Sequence, residues 1–451
     1  MSLLFQIESL DINDIKLSQR QSASRDLAQF ICKIPHLREL NLGSYHNCQK
    51  YHDEFYSTLS SLASSAKIEI LHHNDDLSER PSASRDLAQF ICKMNHLKNL
   101  KLYGQYHDDL YSTSSSMMAT TAKIETLHHD DNLGERPSAS RDLAQFICKM
   151  NHLKNLTLYG YYHDDFYSTA LSIASTTKIE TFHLSDDLSE RPSASRDLAQ
   201  FICKMNHLKN LTLYGYYHDD FYSTASSMAS TTKIEILHHN DDLSERPSAS
   251  RDLAQFIRKM NHLKNLKLYV QYHDDFYSTS SSMASSTKDD CNTSSNVTDL
   301  TITDEALEGW QDCGSMFHYV KRITIQVLYT IGCDDIQMIH LPAVTELTIQ
   351  THEHADEPAS LHDDPTSLPN ALHKVSSQLV KVRFRDLEIG NNKIRGVIQA
   401  FKSSEDLKHL RTLRFIRCGT DERLDRSSID SDDEHKVKVE IEHGKPVGKY
   451  F

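Results

Sequence analysis

Residues 193–224 read SASRDLAQFICKMNHLKNLTLYGYYHDDFYST, and nearly identical copies of this stretch recur along the chain. The string SASRDLAQF begins at five positions, at intervals of 60, 56, 55 and 55 residues: Ser22, Ser82, Ser138, Ser193 and Ser248. A repeat of near-constant length indicates stacked supersecondary units, each of which buries its apolar face against its neighbours. The sequence therefore predicts a repeat protein.

Each repeat contains two copies of the pattern LxxLxL. One covers residues 208–213 (LKNLTL), and the other covers residues 179–184 (IETFHL). This pattern is the strand signature of a leucine-rich repeat. Successive signatures lie 26 residues apart from Leu208 to Ile234 and 29 residues apart from Ile234 to Leu263. These lengths are typical of the helix-bearing class of such repeats, similar to ribonuclease inhibitor.

The segments between the strands carry helical patterns. In Arg85–Met94 the apolar residues recur at i, i+3, i+4 and i+7, the spacing of one helix face. We expect Ser82 or Ser84 to cap this helix. The second connecting segment, Phe221–Ala229, has the same kind of apolar face but is rich in Ser and Thr, so we expect its helix to depend on packing.

The strand signature continues beyond the near-identical copies, in segments that start at Val297, Val320, Val344, Leu379 and Leu410. We expect about 16 strands, one for each supersecondary unit. The predicted fold is an α/β leucine-rich-repeat solenoid, a horseshoe with parallel strands on its concave face and helices on its convex face. Residues 1–290 would hold the double repeats and residues 291–451 divergent repeats of the same solenoid, joined by the loop-like stretch 278–296.

The repeat sequences resemble the carboxy-terminal repeats of NACHT–leucine-rich-repeat (NOD-like) receptors, above all those of the expanded invertebrate families. The resemblance is carried by RDLAQFICKMNHLKNLTLYG and KIETLHHDDNL. The resemblance covers essentially the whole chain. It implies a non-catalytic arm that senses a protein or microbial ligand on its concave face and keeps a cytosolic innate immune receptor inactive.

The chain departs from the pattern of these receptors in two ways. It has no GxxxxGK[ST] loop for a nucleotide. It also begins almost at once with the strand at Ile7, so we expect a partial receptor. The alternative is a free-standing cytosolic leucine-rich-repeat adaptor or inhibitor.

Composition narrows the classes of function. The 451 residues include 49 Lys and Arg against 63 Asp and Glu, a net charge of −14, which argues against nucleic acid as the main partner. No apolar run approaches the roughly 18–20 residues of a membrane span, and the first residues lack the basic start of a secretory signal. Nine scattered cysteines fit reduced thiols. We expect a cytoplasmic protein with no cofactor, metal or catalytic constellation.

The strand pattern also predicts which side chains face the concave side. Positions 1, 4 and 6 of LxxLxL point into the core, and positions 2, 3, 5 and 7 point outward. Position 2 alternates in sign over ten strands: Glu8, Arg38, Glu69, Lys98, Glu125, Lys154, Glu180, Lys209, Glu235 and Lys264. Adjacent strands lie about 4.8 Å apart. We interpret the row as a self-neutralising ladder, with a ligand site as the alternative.

A column of tyrosines occupies position 7 of alternate strands: Tyr103, Tyr159, Tyr214 and Tyr269. Tyrosine on a rigid surface is a common means of binding protein, so these four residues are candidates for ligand binding. The alternative is that duplication copied one tyrosine four times without a binding role.

The divergent repeats carry a basic patch formed by Arg383, Arg385, Arg414 and Arg417. Like charges on adjacent strands destabilise a sheet unless something neutralises them. The partner would be internal, from Glu440 and Glu442 on the last strand, or it would be an acidic protein surface or a phosphate-bearing ligand. We take the four arginines as the best single site.

Two histidine patterns are interpreted as structural features of the repeats. His-Asp-Asp recurs at residues 107–109, 163–165, 218–220 and 273–275, and we interpret it as an acidic turn because copies two strands apart cannot share a metal ion. His73, His129 and His239 fall at inward position 6. Because a buried imidazole is costly to protonate, we predict that stability falls as pH drops through roughly 6. Sequence drift and an evolved pH sensor are both compatible with this pattern.

Overall fold

The computed structural model describes residues 7–12, 17–43, 51–118, 123–172, 174–277, 296–307, 310, 317–352, 355, 357–362, 367–389, 391–405, 407–418 and 437–442. The chain divides into two compact units. Unit 1 comprises residues 1–224 and 231–233, and unit 2 comprises residues 225–230 and 234–451.

Unit 1 alternates strands and helices along the chain. Its strands are β1 Ser9–Asp11, β2 Glu39–Leu42, β3 Ile70–Asn74, β4 Asn99–Tyr103, β5 Thr126–Asp130, β6 Asn155–Tyr159, β7 Thr181–Ser185 and β8 Asn210–Tyr214. Its helices are α1 Gln21–Cys32, α2 Asp53–Leu62, α3 Pro81–Lys93, α4 Asp108–Met117, α5 Pro137–Lys149, α6 Asp164–Leu171 and α7 Pro192–Lys204. The next helix, α8 Asp219–Met228, contains the boundary between the units.

The strands of unit 1 form one parallel sheet in chain order, with corresponding residues of the signature paired side by side. The residues at position 4 of neighbouring strands are almost fully buried: Leu71, Leu100, Leu127, Leu156, Phe182 and Leu211. Each buried side chain of this size contributes about 1.5–3 kcal/mol. The hydrophobic core therefore lies between the sheet and the helices, which pack side by side. The opposite face of the sheet, which bears positions 2, 3, 5 and 7, is called the open face below.

Helices α3, α5 and α7 begin with proline at their first position, as Pro81 does in α3. Proline suits this position because the first N–H of a helix has no partner within the helix, so no hydrogen bond is lost. The predicted serine cap is wrong, since Arg80 occupies the N-cap of α3 without a side-chain hydrogen bond. Ser84 is buried instead. Its hydroxyl donates to the carbonyl of Leu77 at 3.2 Å and accepts from the amide of His107 at 3.2 Å, which ties the helix to the loops beside it.

Unit 2 continues the same alternation. Its strands are β9 Ile236–Asn240, β10 Asn265–Leu268, β11 Asp299–Thr303, β12 Arg322–Val327, β13 Thr330–Ile331, β14 Glu346–Thr351, β15 Ser360–Leu361, β16 Lys381–Arg385, β17 Thr412–Ile416 and β18 Lys438–Glu442. Its helices are α9 Pro247–Lys259, α10 Cys333–Gln337, α11 Leu368–Val375 and α12 Asn391–Ser403. Eight of the strands form a parallel sheet in chain order, and β13 pairs with β15 apart from it.

Both units therefore have the predicted leucine-rich-repeat solenoid fold, with parallel strands that alternate with helices. The five signatures predicted beyond residue 290 all form strands, β11, β12, β14, β16 and β17. The predicted join at 278–296 falls almost entirely outside the described residues. Among the described helices, none combines the length and the apolar composition needed to cross a membrane.

Candidate functional site

The charges at position 2 form ion pairs across the open face, as the ladder interpretation predicts. In unit 1 the ammonium groups of Lys98, Lys154 and Lys209 each lie 2.7–2.9 Å from a carboxylate on the preceding strand. In unit 2 Lys264 pairs with Glu235 in the same way, at 2.7 Å. Exposed pairs of this kind contribute little stability each. They do neutralise the row, which leaves it no net attraction for a charged ligand.

The tyrosine column of unit 1 belongs to a longer ladder of aromatic rings. Tyr103 lies 4.7 Å from His128 between ring centroids, and His128 lies 5.1 Å from Tyr159. The series continues at 4.9 Å from Tyr159 to His183 and at 5.2 Å from His183 to Tyr214. These five residues are called the Tyr–His ladder. It crosses five neighbouring strands, because the tyrosines come from position 7 of β4, β6 and β8 and the histidines from position 5 of β5 and β7.

The two histidines of the ladder were missed by the sequence analysis. Burial lowers the pKa of both His128 and His183 to about 4, so each ring is neutral at neutral pH. The Nε2 atom of each is buried and has no hydrogen-bond partner. The signal was present in the sequence, since both residues stand at outward position 5 of their signatures.

Tyr269 is not part of this ladder. It belongs to unit 2 and is only 5% exposed. Its ring lies 6.4 Å from that of His238 and 5.9 Å from that of His352. Val270 follows it, where Tyr103, Tyr159 and Tyr214 are followed by glycines with positive φ. A β-branched residue is not accommodated in that backbone conformation, so the turn after Tyr269 differs from the other three.

The basic patch is neutralised by carboxylates of unit 2. Arg414 lies 3.2 Å from Glu442 and 3.6 Å from Glu440, which confirms the predicted internal partners. Arg383 lies 3.0 Å from Glu346 on the neighbouring strand β14. The physical reason to expect a bound anion at Arg414, an uncompensated cluster of like charge, is therefore absent.

Arg385 and Arg417 share the carboxylate of Asp386, at 3.3 and 2.7 Å. Asp386 and Arg417 have positive φ values of 56° and 52°. Both directly follow position 7 of their strands, which is the place of the positive-φ glycines in unit 1. Asp386 was not predictable as a partner from the strand pattern, because the direction of its side chain depends on this turn.

The His-Asp-Asp motifs form the first turns of helices. In α6 the Nδ1 atom of His163 accepts from the amide of Asp165 at 3.2 Å. Asp164 pairs with Arg191 at 2.5 Å, and Asp165 pairs with Arg141. Carboxylates are favourable at a helix N-terminus. The acidic-turn interpretation is confirmed, and its carboxylates have structural partners. Within the described part of the chain, no group of three or more His, Cys, Asp or Glu residues is arranged to hold a metal ion.

The inward histidines lie in buried polar clusters. His129 is 0% exposed, and its ring nitrogens lie 2.9 Å from the hydroxyl of Tyr111 and 3.0 Å from that of Tyr162. Tyr111 also donates to Asp131 at 2.5 Å, and Arg136 lies 3.5 Å from the same carboxylate. Burial lowers the pKa of His129 to about 3 and raises the pKa of Asp131 to about 6. The predicted burial of His73, His129 and His239 is confirmed, since each is 0% exposed. Burial lowers the pKa of His239 to about 3 as well.

No protein-family model matches the sequence, and no curated protein matches it. Solved structures do match. One is a chain of the crystal structure of the Rad7 and Elc1 complex in yeast, which is similar over 93% of this chain and 92% of that chain, at 12% sequence identity and a TM-score of 0.35. The fold assignment rests on the strands and helices of this chain and not on that likeness.

Proposed function

We propose that the protein is a non-catalytic recognition solenoid that binds a protein segment on the open face of unit 1. The observation that carries this proposal is the Tyr–His ladder. A parallel sheet fixes its five rings at centroid distances of 4.7 to 5.2 Å. Tyrosine offers a large contact area at low conformational cost, and protein-binding surfaces are enriched in it.

The chemistry of the ladder indicates the kind of segment that it binds. Its rings are uncharged at neutral pH, because the pKa of each histidine is near 4. The charged side chains that act on its rings, Lys101 and Asp130, are opposite in sign. The ladder therefore favours aromatic and aliphatic side chains of an extended segment over a charged one.

The cellular role that we propose rests on the resemblance of the repeat sequences. The chain would act as the sensing and autoinhibitory arm of a cytosolic innate immune receptor of the NOD-like type. A free-standing leucine-rich-repeat adaptor or inhibitor is the second candidate. An immunoblot of source cells with an antibody to residues 379–418 separates the two. A native band well above 51.6 kDa supports the receptor, and a band at that mass supports the adaptor.

Selection on the wild-type chain from a random peptide library without Asp or Glu tests the binding function. We expect the selected peptides to bind at least tenfold more weakly, about 1.4 kcal/mol, when Tyr103, Tyr159 and Tyr214 are all changed to alanine. The matched control changes Tyr161 and Tyr216 to alanine. These tyrosines are 52% and 55% exposed and lie outside the ladder.

Unaltered binding by the triple variant would contradict the proposal, and so would loss of binding by the control. Failure to select any peptide would contradict it as well. Circular dichroism melting curves of the three proteins establish that each variant is folded.

A further inference from the structure

The open face of unit 2 contains a cavity of about 430 Å³. Side chains at positions 3 and 5 line it, from β9 to β16. Its volume lies within the range of ligand sites in proteins, about 300–1,000 Å³. The cavity is separate from the Tyr–His ladder, whose five residues all belong to unit 1.

A row of hydroxyl groups between two cations crosses the cavity at position 5. The sheet register pairs Lys267 with Thr301, Thr301 with Thr324, Thr324 with Thr348 and Thr348 with Arg383. Four steps of about 4.8 Å give a row about 19 Å long. An extended peptide rises about 3.3 Å per residue, so about six residues would match this length.

The polar groups of this row are available to a ligand. The hydroxyls of Thr301, Thr324 and Thr348 make no hydrogen bond within the described residues, and all three side chains are partly exposed. Lys267 likewise has no carboxylate partner there. A hydroxyl offers one donor and two acceptor lone pairs, and an ammonium offers three donors. The row can therefore bind both backbone amides and an anionic oxygen group.

The charges around the cavity favour an anion at the Lys267 end. Arg322 pairs with Asp299, and its Nη2 donates to that carboxylate at 2.7 Å. Arg383 pairs with Glu346 at 3.0 Å. The lining thus holds three cations and two carboxylates, which leaves the charge of Lys267 uncompensated in a chain of net charge −14.

Tyr269 lies beside this end as part of a covered edge of the cavity. Its ring packs against that of His238, which lines the cavity, and against that of His352. Thr303 and Gln326, at the same position of the intervening strands β11 and β12, are buried. This covered edge confines a ligand to the side chains at positions 3 and 5 of the strands.

We propose that the cavity binds a short acidic peptide segment in extended form. Its anionic side chain, a carboxylate or a phosphate, pairs with Lys267 and accepts from Thr301. Its backbone amides bond to Thr324 and Thr348. This site is independent of the ladder and gives the chain a second recognition surface.

Three synthetic peptide libraries test this inference, with fixed central glutamate, phosphoserine or glutamine. We expect the full chain to bind the glutamate or the phosphoserine library at least tenfold more tightly than the glutamine library. The acidic library that binds more tightly identifies the anion. Lys267→Gln should abolish the preference, and Thr324→Val should weaken binding of both acidic libraries.

Lys101→Gln is the matched control, because Lys101 occupies position 5 in the same NLKLY sequence of unit 1. It should leave the preference unchanged. The triple tyrosine variant should also retain it, so failure of the ladder and failure of this site are distinguishable. Equal binding of the three libraries would overturn the inference, as would a preference that survives Lys267→Gln.

Discussion

Gly160 illustrates how the stacking of strands dictates a single residue. It follows β6 with φ +111°, and a Cβ atom there would lie 2.4 Å from the carbonyl oxygen of Asp131. Glycine is required for two separate reasons, the left-handed backbone and the close approach of the neighbouring turn. Gly104 and Gly215 occupy the same place in their repeats.

We predict that Gly160→Ala lowers the free energy of unfolding by about 1–3 kcal/mol, the usual cost of a strained backbone position. The comparison is Gly134→Ala, where the new Cβ would lie 3.3 Å from the Cβ of Tyr161 and φ is not left-handed. Urea denaturation of both variants provides the measurement. Equal stability of the two variants would show that this turn is not constrained as described.

The limits of sequence reasoning are clear at the level of individual side chains. The tyrosine column was predictable from position 7, but the contribution of His128 and His183 was not recognised. Strand position identifies the face of a side chain. Which rings touch depends on the lateral offset between positions 5 and 7 of neighbouring strands. Tyr269 shows the same limit, since one substitution after it, Val270, accompanies the burial of its ring.

At the level of elements, a buried polar cluster joins a helix to adjacent strands and loops. Tyr111 of α4, His129 of β5 and the following Asp131 meet within 2.5–2.9 Å. The histidine and the carboxylate oppose each other in their pH dependence. His129 has a folded pKa near 3, below its ordinary 6.5, so its contribution to stability is lost as pH falls below 6.5. Asp131 has a folded pKa near 6, above its ordinary 3.8, so acidification through pH 6 stabilises the fold.

We predict that His129→Leu reduces the loss of stability between pH 7.5 and 5.5. The unfolded chain takes up one proton fewer in the variant, which removes a cost of about 1.4 kcal/mol at pH 5.5. Leucine is compatible with this place, because Leu184 occupies it in the next repeat. Thermal midpoints at the two pH values provide the test, with the exposed His152→Gln as control. Identical pH dependence of wild type and His129→Leu would contradict the cluster mechanism.

This cluster also refines the pH prediction from the sequence. That prediction considered only the histidines. Burial also raises the pKa of Asp186 to about 7, in the repeat that has Leu184 in place of histidine. The carboxylates therefore offset part of the expected loss. The helices themselves were predictable from apolar spacing, whereas the start of α3 was not, because buried Ser84 and cap serines look alike in sequence.

For the whole molecule, repetition made the fold predictable. A signature that recurs every 26 to 29 residues from Ile68 to Leu263 specifies strand, face and neighbour together. The signature itself persists where the repeats diverge, at spacings of 23 to 35 residues. The binding surfaces were less predictable. The arginine patch was predicted as a ligand site because its charges are clustered in the sequence. In the structure, carboxylates from neighbouring strands and turns pair with these arginines. Thr301, Thr324 and Thr348 of unit 2 were not predicted as part of a site, although they occupy position 5 in three successive signatures.

The central claim is that the Tyr–His ladder binds a protein segment, and photo-cross-linking tests it most directly. A library-selected peptide is labelled with a benzophenone group and cross-linked to the full chain. Mass spectrometry then locates the linked residues. Recognition by the Tyr–His ladder predicts cross-links in Asn99–Tyr103, Asn155–Tyr159 and Asn210–Tyr214, the three strands that present the tyrosines. Cross-links confined to the helices Pro81–Lys93, Pro137–Lys149 and Pro192–Lys204 would contradict it.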